Sequence, residues 1–161
     1  PQVSKGPKLS LALSPTGSNK PEGPPPMPED LLIELVVVTQ KAGVIRDIAA
    51  HPWSPVVAVA GQKQVLLYNT DTEKLLGVLA MPTGFPEHVG FSRNGLLVFA
   101  AGGIGGQTGQ ASIWELKTGR LLASIGESFD AVLTADISHD QRMLVTGDQS
   151  RLVKVYSIAE G

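Results

Sequence analysis

The side chains in this chain that could act as acids, bases or ligands are few and widely spaced. Its carboxylates include Asp47, Asp130, Asp136 and Asp140, and its three histidines are His51, His88 and His139. Two carboxylates at a fixed separation could share the work of general acid and nucleophile or base. Asp47 and Asp136 each fall inside a run of strand length, but alternation along a strand does not set the distance to a carboxylate on another strand. A solvated or turn-bonded role is the reading for both. The histidines are isolated from one another and none sits at metal-ligand spacing. His51 precedes Pro52 and His139 lies in a turn, so both are expected to be exposed. No serine has a nucleophile-elbow setting with a histidine to serve it as base. The glycine run at residues 102–109, GGIGGQTG, invites a phosphate-loop reading and fails it on spacing. Gly103 and Gly105 would require a glycine where Thr108 stands, and no Gly-Lys-Ser/Thr follows. The run also joins two strands, so no helix N-terminus is available to hold phosphate, and a flexible or bulged loop is expected there.

With no cysteine, disulfides, thiolate metal sites, iron–sulfur clusters and covalent haem are excluded within the chain. The reading is of a non-enzyme with no catalytic residue, cofactor or metal. A net charge of −2 with singly scattered Lys and Arg gives no basic face for nucleic acid. The apolar run at 31–38 is interrupted by Glu34 and is too short for a bilayer, so no membrane insertion is expected. The chain begins at Pro1 without a signal-peptide pattern, which reads as a piece of a longer protein or a processed one.

Any site must be positioned by the elements around it. Residues 1–30 hold eight of the twelve prolines, including the run Pro24, Pro25, Pro26, Met27, Pro28. Such a stretch buries little apolar surface, so a disordered, polyproline-like tether is expected, with a proline-rich recognition motif as the alternative. Beyond residue 30, short runs rich in Val, Ile and Leu alternate with Gly, Asn, Asp, Pro and Ser clusters. Each has strand length and none holds a helical period.

These runs repeat. Tyr68, Trp114 and Tyr156 each stand in the third strand of a unit, 46 and 42 residues apart (114 − 68 and 156 − 114). Ala50, Ser92 and Ser138 close the first strands at separations of 42 and 46 (92 − 50 and 138 − 92). The middle unit carries its extra residues in the glycine run. Four strands per unit at this period describe a propeller blade, giving an all-β partial propeller of about three four-stranded blades. The units run at about 40–85, 86–130 and 131–161, with an extra strand at 31–38. The last unit lacks its outer strand, and three blades do not close a ring, so self-association through open blade edges is expected.

The units resemble the WD40 family. Its Trp-Asp is matched by Tyr68-Asn69, Trp114-Glu115 and Tyr156-Ser157, and its Phe-Ser-Pro-Asp-Gly turn by Phe91-Ser92-Arg93-Asn94-Gly95. Only Asp148 matches the family's turn aspartate, and no Gly-His partner is recognisable. The string GQKQVLLYNTDTEKLLGVL followed by FSRNG is also similar to the WD40 segment of large planctomycete-type proteins that carry a c-type cytochrome domain. That likeness implies a periplasmic or cell-envelope setting and a haem domain outside this chain. The WD40 resemblance implies a protein-interaction scaffold. Tyr68, Trp114 and Tyr156 are then structural, and Asp148 organises a turn by accepting backbone amides. It further implies a loop face presenting Gln62, Lys63, Phe85, Glu87, Gln107, Thr108, Phe129, Asp130, Gln149 and Arg151 to a protein partner. On that face Phe85 and Phe129 are either interface anchors or rings tucked under their own loops.

Overall fold

The computed structural model describes residues 2–5, 9–10, 23–24, 26–35, 38 and 43–159. In chain order the strands are β1 (Gln2–Lys5), β2 (Leu9–Ser10), β3 (Asp47–Ala50), β4 (Val56–Ala60), β5 (Gln64–Asn69), β6 (Leu75–Ala80), β7 (Phe85–Phe91), β8 (Leu97–Ile104), β9 (Thr108–Glu115), β10 (Leu121–Ser128), β11 (Val132–Ile137), β12 (Met143–Asp148) and β13 (Leu152–Ala159). Three sheets result, with orders β3-β4-β5-β6, β7-β8-β9-β10 and β11-β12-β13, the last extended by β1 and β2. Consecutive strands from β3 to β6, β7 to β10 and β11 to β13 pair antiparallel. These are three blades of a partial β-propeller, as the repeat implies.

The repeat is visible as rungs across each blade. Ala50, Val57 and Tyr68 are cross-strand partners, as are Phe91, Val98 and Trp114, and Ile137, Leu144 and Tyr156. Partners on a rung share a sheet face, and in the second and third blades that face is turned toward the preceding blade. Val98 and Trp114 therefore pack with Val56, Ala58, Ala60, Val65 and Leu67 of the first blade. Leu144 and Tyr156 pack with Leu97, Phe99, Ala101, Ala111 and Ile113 of the second. Fully buried side chains such as Leu67 and Ile113 contribute roughly 1.5–3 kcal/mol each. Alternation also predicts Val57, Val59 and Val155 at the blade interfaces, and here the structure differs: all three are only half-buried. Among the described residues no blade packs on the face of the first blade that carries Val57 and Val59, and Val155 lies on the far face of the third.

The frame also shifts by one residue in the first blade. The N–H of His51, Ser92 and Ser138 donates to the carbonyl of Val56, Leu97 and Met143 in turn, so His51 rather than Ala50 is the equivalent of the two serines. The glycine run is not a flexible loop. β8 and β9 stay paired from Leu97 opposite Glu115 to Ile104 opposite Thr108, leaving a turn of residues 105–107. The other blades turn at 61–63 and 149–151, so all three hairpins have turns of the same length. Glycine is required at Gly102 and Gly109 because a Cβ there would collide with the carbonyls of Phe85 and Asp130.

Two short stretches of the leader are strands. β1 and β2 run parallel to β13, with Gln2 opposite Leu152 and Leu9 opposite Ile158, so the edge of the third blade expected to be bare is covered. The described residues of 31–38 form no strand. Leu31 is instead driven into the core between the first and second blades, 9% exposed. Most of the proline run at 1–30, along with Val36 and Val37, lies outside the described residues.

Candidate functional site

The hairpin turns at 61–63, 105–107 and 149–151 come together at one end of the blades with the connections at 81–84 and 129–131. Backbone contacts tie this end together. Met81 N–H donates to the Lys63 carbonyl at 2.8 Å, and Gln149 N–H to the Ala131 carbonyl at 3.4 Å. Thr108 Oγ1 donates to the Thr83 carbonyl at 3.0 Å. Lys63 and Arg151 occupy left-handed turn positions (φ 56° and 66°), so backbone geometry accounts for part of their placement.

The densest set of contacts surrounds residues 128–130. Ser128 Oγ donates to Asp148 Oδ2 at 2.8 Å, while Asp148 Oδ1 accepts the Leu152 amide at 3.0 Å. Asp130 Oδ1 accepts the Gly106 amide at 2.9 Å, and Asp130 Oδ2 accepts a short hydrogen bond from Ser150 Oγ. One carboxylate thus joins the turn of the second blade to that of the third. The Ser150 hydroxyl, and then the Gly106 amide, hold the Asp130 carboxyl below the usual carboxylate range. Phe129 sits between these two fixed residues and is 72% exposed, not tucked. Phe85 differs: it is half-buried, with the Arg46 guanidinium 5.5 Å from its ring centre. Arg46 also holds both oxygens of Glu87, at 2.6 and 2.7 Å. Gln107 and Gln149 are exposed near Phe129, and Gln149 Oε1 is 3.2 Å from where a Cβ on Gly105 would lie. Gln62 lies apart from them. It covers Gly43 and lines a groove of about 400 Å³ with Val44, Ile45, Val59, Leu66 and Tyr68 on the open face of the first blade.

The structural aromatics divide in the same way. Trp114 and Tyr156 are buried between blades at 3% and 6% exposure, whereas Tyr68 is half-buried in that groove.

Asp130 should act as a fastener between turns. Replacing it with alanine is expected to speed hydrogen exchange at the Gly106 amide by about an order of magnitude while leaving core amides protected. Because its carboxyl value is depressed in the fold, its contribution is present above the ordinary carboxylate range and is lost as pH falls through the depressed value.

Asp47 and Asp136 do not form a pair. Asp47 Oδ2 accepts the Val89 amide at 2.9 Å and lies 2.8 Å from His88 Nδ1, while Asp136 Oδ1 accepts the amide of Ile137 at 2.8 Å. Among the described residues no three His, Asp or Glu side chains are grouped to hold a metal. Asp140 accepts from Ser138 Oγ at 2.6 Å and from the Arg142 amide at 3.2 Å, and these contacts, Ser138 first, lower its carboxyl value.

His51, expected in an exposed position, is buried at the opposite end of the blades. Its Nδ1 faces the amides of Trp53 at 3.0 Å and Ser54 at 2.8 Å, so Nδ1 accepts and the ring proton lies on Nε2, 2.9 Å from the Gly95 carbonyl. At this position Ser92 and Ser138 accept one amide each through a hydroxyl, from Leu97 and Met143. Burial lowers the His51 value, against a smaller upward pull from the Gly95 carbonyl. The neutral ring is therefore the folded form. Its stabilisation is complete above the ordinary value near 6.5 and is lost as pH falls from there through the depressed folded value. The urea midpoint is expected to fall between pH 7 and pH 5, and His51→Ser should remove most of that slope.

No family model matches the chain. A segment of 54 residues is 39% identical to the angio-associated migratory cell protein of Homo sapiens, covering 34% of this chain and 12% of that protein. The proteins of the same name from Pongo abelii and Canis lupus familiaris match with the same identity and coverage. The matched segment is thus a small fraction of the length of these relatives.

Proposed function

We propose that this chain is a non-catalytic scaffold that binds a protein partner through the loop end around Phe129. The observation that carries this reading is the exposure of that ring between two residues whose hydrogen bonds reach two turns and the end of β12. An apolar ring held in water by a rigid surround loses little freedom on docking, which is how interface anchors gain affinity. Gln107 and Gln149 supply neutral hydrogen-bonding groups on the turns beside it, and the adjacent Asp130 carboxylate is already held by Gly106 and Ser150. The resemblance to WD40 repeats and the match to the angio-associated migratory cell protein support a scaffold in general terms. No comparison supports the cytochrome-linked reading.

Ligands selected from a peptide library against the folded chain provide the test. Phe129→Ala is expected to weaken their binding at least about tenfold. Because the ring is mostly in water, the melting temperature should hardly move, with a stability change within about 0.5 kcal/mol. Leu121→Ala, an exposed apolar residue outside these turns, should leave binding unchanged. If Phe129→Ala lowered stability and left binding intact, the ring would be blade packing and the proposal would fail.

A further inference from the structure

At the opposite end, the chain's own residues 26–32 occupy a slot between the first and second blades. The contacts there are of the kind that capture an extended peptide. Glu29 N–H donates to the Lys117 carbonyl and Val78 N–H donates to the Leu32 carbonyl, each at 2.8 Å. Ser54 Oγ donates to the Pro26 carbonyl at 2.9 Å, and Lys117 Nζ pairs with Glu29 Oε2 at 3.2 Å. Between these backbone anchors Leu31 enters the core. Two glycines make room for it. A Cβ on Gly77 would collide with the Leu31 side chain, and one on Gly119 would come within 2.7 Å of Leu31 Cδ2. Gly77 is in β6 and Gly119 in the turn after β9, so the slot is built by two different blades. It is assembled wholly from residues far from the segment in sequence, and nothing in its chemistry requires that the occupant be covalently joined.

We infer that this slot is a recognition site for an extended acidic segment carrying leucine two residues after glutamate, held closed in the isolated chain by residues 26–32. A partner enters by displacing them. The side chain at the glycine floor sets specificity, because the Leu31 Cβ and Cδ1 fill the space that a Cβ on Gly77 would take. Lys117 favours an acidic residue two positions earlier. The tethered segment competes at high effective concentration, so the wild-type slot binds a free peptide weakly. This inference is independent of the Phe129 end, which lies across the blades from it.

The test uses the full chain and a fluorescein-labelled peptide of residues 26–35 as the probe. Leu31→Ala in the chain empties the leucine position while leaving Gly77, Gly119 and Lys117 in place, and should bind the peptide at least about tenfold more tightly than wild type. Adding Gly77→Ala to that variant should abolish the gain, and the peptide carrying Leu31→Ala should bind neither. Should Leu31→Ala fail to fold, Glu29→Lys loosens the tethered segment at an exposed ion pair. That chain should bind the wild-type peptide several-fold better than wild type does and should show no gain for a peptide with the same Glu29→Lys change. A folded variant of either kind with no gain in peptide binding overturns the inference. So does a gain that survives Gly77→Ala.

Discussion

Trp114→Ala is expected to lower stability by about 3–5 kcal/mol, the range for emptying a buried aromatic site. Its ring is 3% exposed and packs against the apolar face of the first blade. This cluster holds most of the buried apolar residues between the first and second blades, and a small domain has only about 5–15 kcal/mol in all. Tyr68→Ala supplies the comparison. Tyr68 occupies the same rung position, but among the described residues no blade packs on its face and it is half-buried. Its loss should cost roughly 1 kcal/mol, since less area returns to water. Equilibrium urea unfolding of the two variants checks both values. Equal costs would mean that the rung position, and not the neighbouring blade, sets the energy.

Gly95→Ala is the second large effect, at about 2–4 kcal/mol. Two penalties combine. Gly95 has φ of +75°, where a side chain is strained by roughly 1–2 kcal/mol, and its added Cβ would collide with the His51 ring. The ring cannot retreat, because its other nitrogen holds the Trp53 and Ser54 amides and it packs T-shaped on Phe91 at 5.0 Å between centroids. Gly106→Ala separates the terms. Its φ is +69° but nothing lies within 4 Å of the added Cβ, so only the backbone strain should appear. Unfolding in urea should rank wild type, Gly106→Ala and Gly95→Ala in falling order of stability.

The blade repeat is legible in the sequence because one rung position in each unit takes a large aromatic, and rung spacing is fixed by strand length. Tyr68, Trp114 and Tyr156 suffice to show it. His51 is not legible as the equivalent of Ser92 and Ser138, since an imidazole nitrogen replaces a hydroxyl as acceptor and the residue types share no pattern. A Ser at two of three equivalent places was the available signal. The glycine run misleads because glycine marks loops and close backbone approach alike; Gly102 and Gly109 are the second case. Which face of a strand is covered depends on whether a blade lies beyond it, and alternation alone assigned Val57 and Val59 to an interface where the described residues place no blade. The place of Leu31 depends on Gly77 and Gly119, 46 and 88 residues further along, so no local pattern in a proline-rich stretch reveals it. At the loop end, the exposed set of Gln107, Phe129 and Gln149 follows from the repeat register. The fastening role of Asp130 does not, because its partners Gly106 and Ser150 belong to two different turns.

The most direct test of the central claim is to map where a selected ligand sits, by following backbone amide signals of the folded chain as ligand is added. Perturbations are expected to gather at residues 105–107, 128–131 and 149–151 and to vanish in Phe129→Ala. Signals that instead move at the turns after β3 and β9, with the Phe129 turns silent, would contradict a scaffold that binds through its loop end.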